Sequence, residues 1–482
     1  MSSRKIVIIG AGPAGLTAGY ELKKRNKNFI IFEKEKEIGG IAKTVKYKNF
    51  RFDIGGHRFF SKSDVINKIW KEILPAGDWL QKDRLSRIYY DNSFFDYPLK
   101  IDNVVKNLGL KRSLAIVLSF INSKLFPIKD EKSFEDWIVN RFGWRLYKTF
   151  FKSYTEKLWG IPCEQIRADW AAQRIRGLSF TSAVKDALLR QIGFKNSEAI
   201  KTLITSFAYP KYGPGMMWQA MSRKILKGTN KKIIKRKTKV IKIILNKNTT
   251  KVKRAIIKNE RGKEESVKAT ALFSSMPIDE LILSVKPTPQ KKIIKAAKDL
   301  RYRDFIQAAL VFKMKDSFPD NWIYIHDPQA KMLRVQNFKN WSSYLVPSKK
   351  YTCLGTEYTC NVGDKIWSLS DRCLKNLAKR ELVKTGLVSE KRVVLGGKVA
   401  RMRKAYPVYN GDYKKSVRII KSFLKKIKNV YPIGRSGMFK YNNMDHSMLT
   451  AILSVRNFCE KKSYNVWEIN TEEKYHEEKQ EY

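Results

Sequence analysis

Lys5-Ile-Val-Ile-Ile9 runs straight into Gly10-Ala-Gly12-Pro13-Ala14-Gly15, then a helical pattern over 16–24, then Phe29-Ile-Ile-Phe32-Glu33. An apolar run, a glycine-rich turn, a helix and a second apolar run closed by an acid form a βαβ unit. This unit decides the fold. Gly10 permits the tight turn, Gly12 lets the backbone approach a pyrophosphate, and Gly15 lets helix and strand pack closely. The helix N-terminus offers unpaired N–H groups to phosphates. Glu33, roughly 20 residues beyond the glycines, is placed to accept both ribose hydroxyls of an adenosine. A carboxylate there repels a 2′-phosphate, which favours FAD or NAD over NADP.

Two more glycine pairs follow, in Glu37-Ile-Gly39-Gly40 and in Phe52-Asp53-Ile-Gly55-Gly56-His57. Glycine tolerates positive φ and close backbone approach, so the pairs fit a chain running alongside an extended ligand. Two ordinary turns fit the same residues. The order of GxGxxG, Glu33, Gly39-Gly40 and Gly55-Gly56-His57 resembles FAD-binding flavoproteins of the amine oxidase, protoporphyrinogen oxidase and UDP-galactopyranose mutase group. That resemblance implies FAD as the cofactor. It also implies an α/β fold with a Rossmann-type FAD-binding domain, discontinuous in sequence, a helical insertion and an antiparallel-sheet substrate domain.

Composition bounds the rest. A chain of 482 residues with 43% apolar content and 11 Trp buries a large core and divides into domains. Its best apolar run, Leu114 to Ile121, is bracketed by Arg112 and Lys124 and falls far short of a spanning helix. The N-terminus enters the first strand at once, which leaves no room for a secretory signal. The cysteines (163, 353, 360, 373 and 459) are odd in number and lack CxxC spacing, as expected of reduced thiols in a cytoplasmic protein. The four histidines are scattered, so no metal site is expected.

With 97 Lys+Arg against 45 Asp+Glu, the formal charge is +52. Such a field attracts polyanions and anionic membranes; a lysine-rich composition spread over solvated faces accounts for it equally. The densest basic stretch, 224–242, alternates like a strand and carries no nucleic-acid motif, so no nucleic-acid partner is expected. Alternation over 237–275 and again over 306–358 assigns the domains. The FAD-binding domain takes 1–65, 208–300 and 410–465. A helical substrate-binding region takes 66–207, an antiparallel-sheet substrate region 301–409, and a tail 466–482.

Four strings separate one such flavoprotein from another. Gly434-Arg435-Ser-Gly-Met-Phe439-Lys-Tyr441-Asn-Asn443-Met444-Asp445 precedes an apolar helical run, and Asn443 and Asp445 are N-cap types that aim a positive helix end at whatever lies before it. The string resembles the mutase pattern Gly-Arg-x-x-x-Tyr-x-Tyr-x-Asp-Met-Asp, matching at Arg435, Tyr441, Met444 and Asp445, with Phe439 and Asn443 as departures. Tyr154-Thr-Glu-Lys-Leu-Trp159-Gly, leading to Arg174, resembles the mutase segment in which Tyr and Trp hold the nucleotide-sugar and a following Arg faces the diphosphate; as bare aromatics Tyr154 and Trp159 fit a core equally. Asn321 to Phe338 resembles the eukaryotic mutase strand whose arginine contacts the diphosphate, matched by Arg334. Ala405-Tyr406-Pro-Val resembles the segment whose tyrosine reaches a phosphate, matched by Tyr406. His57 resembles the mutase histidine beside the flavin ring, and a histidine bonded to backbone is the other reading of it. Phe60 stands where bacterial mutases carry a second histidine.

The resemblance thus implies a flavin-dependent nucleotide-sugar mutase that interconverts pyranose and furanose forms, reduced FAD acting as nucleophile at the anomeric carbon. NADPH or NADH is the implied reductant. The implied catalytic residues are His57, Arg174 and Arg334. Gly10, Gly12, Pro13, Ala14, Gly15, Glu33, Lys34, Gly40, Gly56, His57, Val240, Gly434, Arg435, Met444 and Asp445 are implied at the cofactor. Tyr154, Trp159, Arg174, Arg334, Tyr406 and Tyr441 are implied at the substrate. The alternative is an FAD-dependent oxidoreductase of the amine oxidase or protoporphyrinogen oxidase type.

Overall fold

The computed structural model describes residues 5–168, 205–229 and 233–470. Two sheets of unlike construction face one another across a cavity. The first has eight strands. Lys5–Ile9 lies at its centre, parallel to Phe29–Phe32 on one side and to the second half of Glu264–Ser274 on the other. Val430–Pro432 and Ile234–Lys235 extend the parallel part at either end. The first half of Glu264–Ser274 instead pairs antiparallel with Val252–Asn259, which pairs antiparallel with Thr238–Leu245. One long strand therefore belongs to both a parallel layer and an antiparallel meander.

After Lys5 the central strand is apolar at every position, because both faces are covered. Ile6 and Ile8 pack with the helices Pro13–Lys24, Gly215–Leu226 and Met444–Glu460, while Val7 and Ile9 pack with Ile278–Ser284, Lys291–Asp299 and Tyr413–Lys426.

The second sheet has seven strands, in the order Val394–Pro407, Tyr302–Phe312, Thr352–Cys360, Arg334–Asn337, Trp322–Ile325, Ser86–Tyr90 and Ser93–Asp96. Alternation along Tyr302–Phe312 sends Phe305, Ala309 and Val311 toward the cavity side, and Ile306, Ala308, Leu310 and Phe312 toward the helix Asp371–Lys384. The sheet is antiparallel through its middle, with one exception at the edge. Ser86–Tyr90 joins Trp322–Ile325 in parallel.

That strand and its hairpin partner come from the stretch expected to be mainly helical. After the helix Asp64–Ile73, residues 79–83, 86–90 and 93–96 are strands, and helices resume at Ile101. Short strands of five, five and four residues give too few alternations to stand out from a helical background. Leu110–Leu125 and Phe134–Leu146 then pack together, and Gly143 sits so close that a Cβ there would stand 2.8 Å from the Phe120 backbone.

Candidate active site

The βαβ turn is built as its glycines dictate. Gly10 has φ +93°, and a Cβ on Gly15 would stand 1.8 Å from the Gly10 carbonyl oxygen, so strand and helix meet with no room for a side chain. Gly39 N–H donates to Ala11 O at 2.8 Å, which brings the second glycine pair against the first turn; a Cβ on Gly12 would lie 3.7 Å from Gly40 Cα. The Glu33 carboxylate is fixed at both oxygens, accepting from Ala11 N–H at 2.7 Å and from Glu35 N–H at 2.9 Å. Burial raises its pKa, and the two backbone donors oppose the rise. Four backbone elements thus form a cradle that narrows on a buried carboxylate.

The cradle opens into a cavity of about 1200 Å³ that runs between the two sheets. Gly10, Gly12, Pro13, Ala14, Glu33, Lys34, Gly40, Gly56, His57, Val240, Gly434, Arg435, Met444 and Asp445 all line it, and so do Tyr154, Trp159, Arg334, Tyr406 and Tyr441. Gly15 is set behind the wall, beneath Gly10. Arg174 lies outside the described residues.

At the middle of the cavity the walls become charged. Arg334 Nε donates to Glu357 Oε2 at 2.6 Å, and its Nη2 stands 3.5 Å from the Tyr406 hydroxyl. Burial disfavours the Arg334 charge, and Glu357 more than restores it, so the group is held well above its ordinary pKa. The ring of Tyr406 stacks on Tyr441 with centroids 5.5 Å apart, and the Arg435 guanidinium lies 4.6 Å from the Tyr441 ring. Burial raises the Tyr406 phenol, which keeps it a neutral donor. Arg435 is held by the carbonyls of Asn442 (2.9 Å) and Ala405 (3.2 Å).

Glu357 had no assigned role in the sequence, and the register supplies one. Arg334, Glu357 and Gln307 stand side by side on three neighbouring strands. Gln336 Nε2 takes the other Glu357 oxygen at 2.7 Å, and Gln307 Oε1 accepts from Gly55 N–H at 3.0 Å. The Gly55-Gly56 turn of the first domain is thereby fastened to the second sheet. An acid inside the otherwise uncharged strand 352–360 was the available signal; its partner could not be read without the register.

His57 is bonded to the backbone and lines the cavity. Its Nδ1 lies 3.1 Å from Gly55 O, and its ring faces the cavity. Burial and then the Arg435 charge push it down to about 4, so the imidazole is neutral. Four residues earlier in the chain, Asp53 is fully buried, accepting from Tyr209 (2.5 Å) and Thr44 (3.2 Å), and burial pushes it up to about 7. The helix Met444–Glu460 starts at an Asn443 capping box whose other member is His446, and its first turn lines the cavity. Its positive end is therefore turned inward.

In Tyr154-Thr-Glu-Lys-Leu-Trp159 the unpredicted residue is Lys157. Its ammonium donates to the carbonyls of Ile325 (2.6 Å), Asp327 (3.0 Å) and Ala330 (3.3 Å), clipping the helix Ser153–Trp159 to the turn beyond the strand Trp322–Ile325. Tyr154 is thereby stacked on His326 at 4.6 Å, and Trp159 lies between Tyr409 and Tyr441.

A solved structure described as reduced UDP-galactopyranose mutase matches with a TM-score of 0.81 and 21% identity, covering 96% of this chain and 95% of that one. The chain has the fold of UDP-galactopyranose mutase. A family model of the NAD(P)-binding Rossmann-like domain matches residues 8–73. Escherichia coli dTDP-fucopyranose mutase is 25% identical over 168 residues, 34% of this chain and 44% of that protein. A 1-hydroxycarotenoid 3,4-desaturase from Flavobacterium sp. is 27% identical over 103 residues, 21% of each chain. The matched stretches thus span less than half of these curated relatives. The expectation of a UDP-galactopyranose mutase-like fold on a Rossmann-type frame holds, and the curated relatives named are a mutase and a desaturase. Among the described residues there is no His/Cys/Asp/Glu group that could hold a metal ion, and no helix long and apolar enough to cross a membrane.

The residues present fit FAD. The glycine cradle admits backbone against a pyrophosphate, the anchored Glu33 presents a carboxylate at the far end, and the cavity continues without a break to the charged centre.

Proposed function

We propose that this protein is a flavin-dependent mutase that interconverts the pyranose and furanose forms of a diphosphate-linked sugar, with nucleotide-sugars as the first candidates. The observation that carries the reading is the meeting of Arg334, Tyr406 and Tyr441 on one cavity with the glycine cradle, beside neutral His57 and the inward-facing helix end.

When bound and reduced, with NADPH or NADH as the source of electrons, FAD would supply the nucleophile for the anomeric carbon. The chain's own residues do the rest. Arg334 offers its remaining guanidinium N–H groups to the departing diphosphate, and Arg174 is assigned to the same anion from the family motif. The Tyr406 and Tyr441 hydroxyls add neutral donors, so the site binds a dianion without crowding cations. Glu357 orients Arg334 from behind. The helix end at Met444 and the charge of Arg435 favour a reduced, electron-rich ring. Tyr154 and Trp159 wall the substrate side. His57, neutral and tied to Gly55 O, orients the ring neighbourhood and does not compete for negative charge.

The test is incubation of the dithionite-reduced protein with UDP- and dTDP-sugars, followed by chromatography for furanose products. Conversion that requires reduction is expected; its absence across the panel rejects the reading. The oxidoreductase alternative has the desaturase relative in its favour. It predicts hydride removal indifferent to Arg334→Ala, whereas the mutase reading predicts collapse of turnover in that variant.

A further inference from the structure

The helix Leu110–Leu125 turns apolar side chains to water. Leu110 is 79% exposed, Leu114 60%, Val117 38%, Leu118 58%, Ile121 46% and Leu125 69%. At about 100° per residue, these six fall within an arc of about 100°. Ile116, Phe120 and Ser123, the buried residues of the helix, project to the opposite side. Phe126, 75% exposed, continues the stripe past the helix end. Single exposed leucines are ordinary; a continuous stripe marks a surface that is covered in use.

Its surroundings are basic. From 103 to 129 there is no Asp or Glu, and there are five cations, of which Arg112 is paired with Asp91 and Lys106, Lys111, Lys124 and Lys129 remain. Around the helix axis Lys111 and Lys124 fall at the two edges of the stripe. Lysine stems can lie along an apolar surface while their heads reach anionic headgroups.

The stripe continues inward. Val117 belongs both to it and to the cavity wall, and Ser113 and Ile116 line the cavity beside Ile101, Val104 and Val105. Deeper in, the wall is Phe142, Leu146 and Leu158. A nucleobase buried against such a wall leaves its edge donors and acceptors unsatisfied, which is costly. A hydrocarbon chain brings no donor or acceptor of its own to such a wall.

The geometry points to helix Leu110–Leu125 seating the protein in the surface of an anionic bilayer, with the cavity arm behind it taking the hydrocarbon chain of a lipid-linked sugar diphosphate from that bilayer. The substrate half rests on the mutase reading; the docking half does not.

Flotation of the FAD-loaded full chain with phosphatidylglycerol or phosphatidylcholine vesicles tests the docking. Binding to the anionic vesicles is expected, weakened by salt. The variant Leu114→Gln/Leu118→Gln/Ile121→Gln, whose side chains line no part of the cavity, is expected to lose binding about tenfold or more while keeping its flavin spectrum and melting temperature. Wild-type protein that fails to float, or a variant that floats equally, overturns the docking. Thermal shift with farnesyl diphosphate, UDP and inorganic pyrophosphate tests the substrate class. The largest shift is expected from farnesyl diphosphate. An equal or larger shift from UDP overturns the lipid chain and leaves the mutase reading standing. No shift from any of the three overturns both readings of the cavity, and flotation still decides the docking.

Discussion

Arg334 is held by a carboxylate that water does not reach: the Glu357 side chain is 0% exposed, while that of Arg334 keeps 20% toward the cavity. A buried pair of this kind adds little net stability, but removing one member leaves the other charge uncompensated. Glu357→Gln keeps the shape and removes the charge, so Arg334 should lose its orientation. On the mutase reading kcat/KM then falls roughly a hundredfold, about 2.7 kcal/mol, and Arg334→Lys fails to behave as wild type because an ammonium cannot serve carboxylate and diphosphate in one plane. Steady-state kinetics on the reduced protein check both. Asp53 makes a second residue-level case. Its folded pKa, about 7, lies above the ordinary value of 3.8. A raised acid contributes stability that is complete below the unfolded pKa and is lost as pH rises through the folded one. Asp53→Asn, which can still accept from Tyr209, should therefore gain on wild type as pH climbs from 4 to 8, by up to about 4 kcal/mol. Paired melting curves across that range should diverge with pH; a constant offset would refute the assignment.

At the scale of elements, the motif that looks like a sugar-binding string is also a fastener. Lys157→Met keeps the stem of the side chain but leaves the carbonyls of Ile325, Asp327 and Ala330 without their donor. A loss of about 2–4 kcal/mol is expected, read by chemical denaturation, together with a raised KM because Tyr154 rides on the same helix. This also shows how legibility varied along the chain. The first βαβ unit could be read because strand, glycines, helix and Glu33 lie within one short stretch and each imposes its own periodicity. Its two glycine pairs could be placed for the same reason. The hairpin 86–96 could not, since strands of four and five residues hold too little alternation and their partner, Trp322–Ile325, is more than 200 residues away. Lys157 and Glu357 were invisible for a different reason. Each is an ordinary charged residue until a distant strand surrounds it, and no local pattern records that. Arg334, Tyr406 and Tyr441 were legible only through family motifs; the physical ground for joining them is the cavity itself.

At the scale of the whole molecule, the two sheets are tied across the cavity by a few polar links. Gly55 N–H meets Gln307, Arg435 meets Ala405 O, Ser342 Oγ donates to Lys211 O, and Lys404 pairs with Asp279 and Glu280. A cofactor that fills the cavity touches walls from both sheets at once, so its binding energy is shared between them. Ligand linkage fixes the size of the effect: FAD at one hundred times its Kd adds about 2.7 kcal/mol to the folded state. Two separately melting domains would confine that gain to the glycine cradle. With walls drawn from both, stripping FAD should lower the melting of the substrate sheet as much as that of the Rossmann sheet. The measurement is hydrogen exchange in the strands 5–9 and 352–360, with and without FAD. Both are expected to lose protection together when FAD is removed. Protection in 352–360 that ignores the cofactor would mean that the sheets are energetically independent, and that the cavity between them is a crevice rather than a shared core.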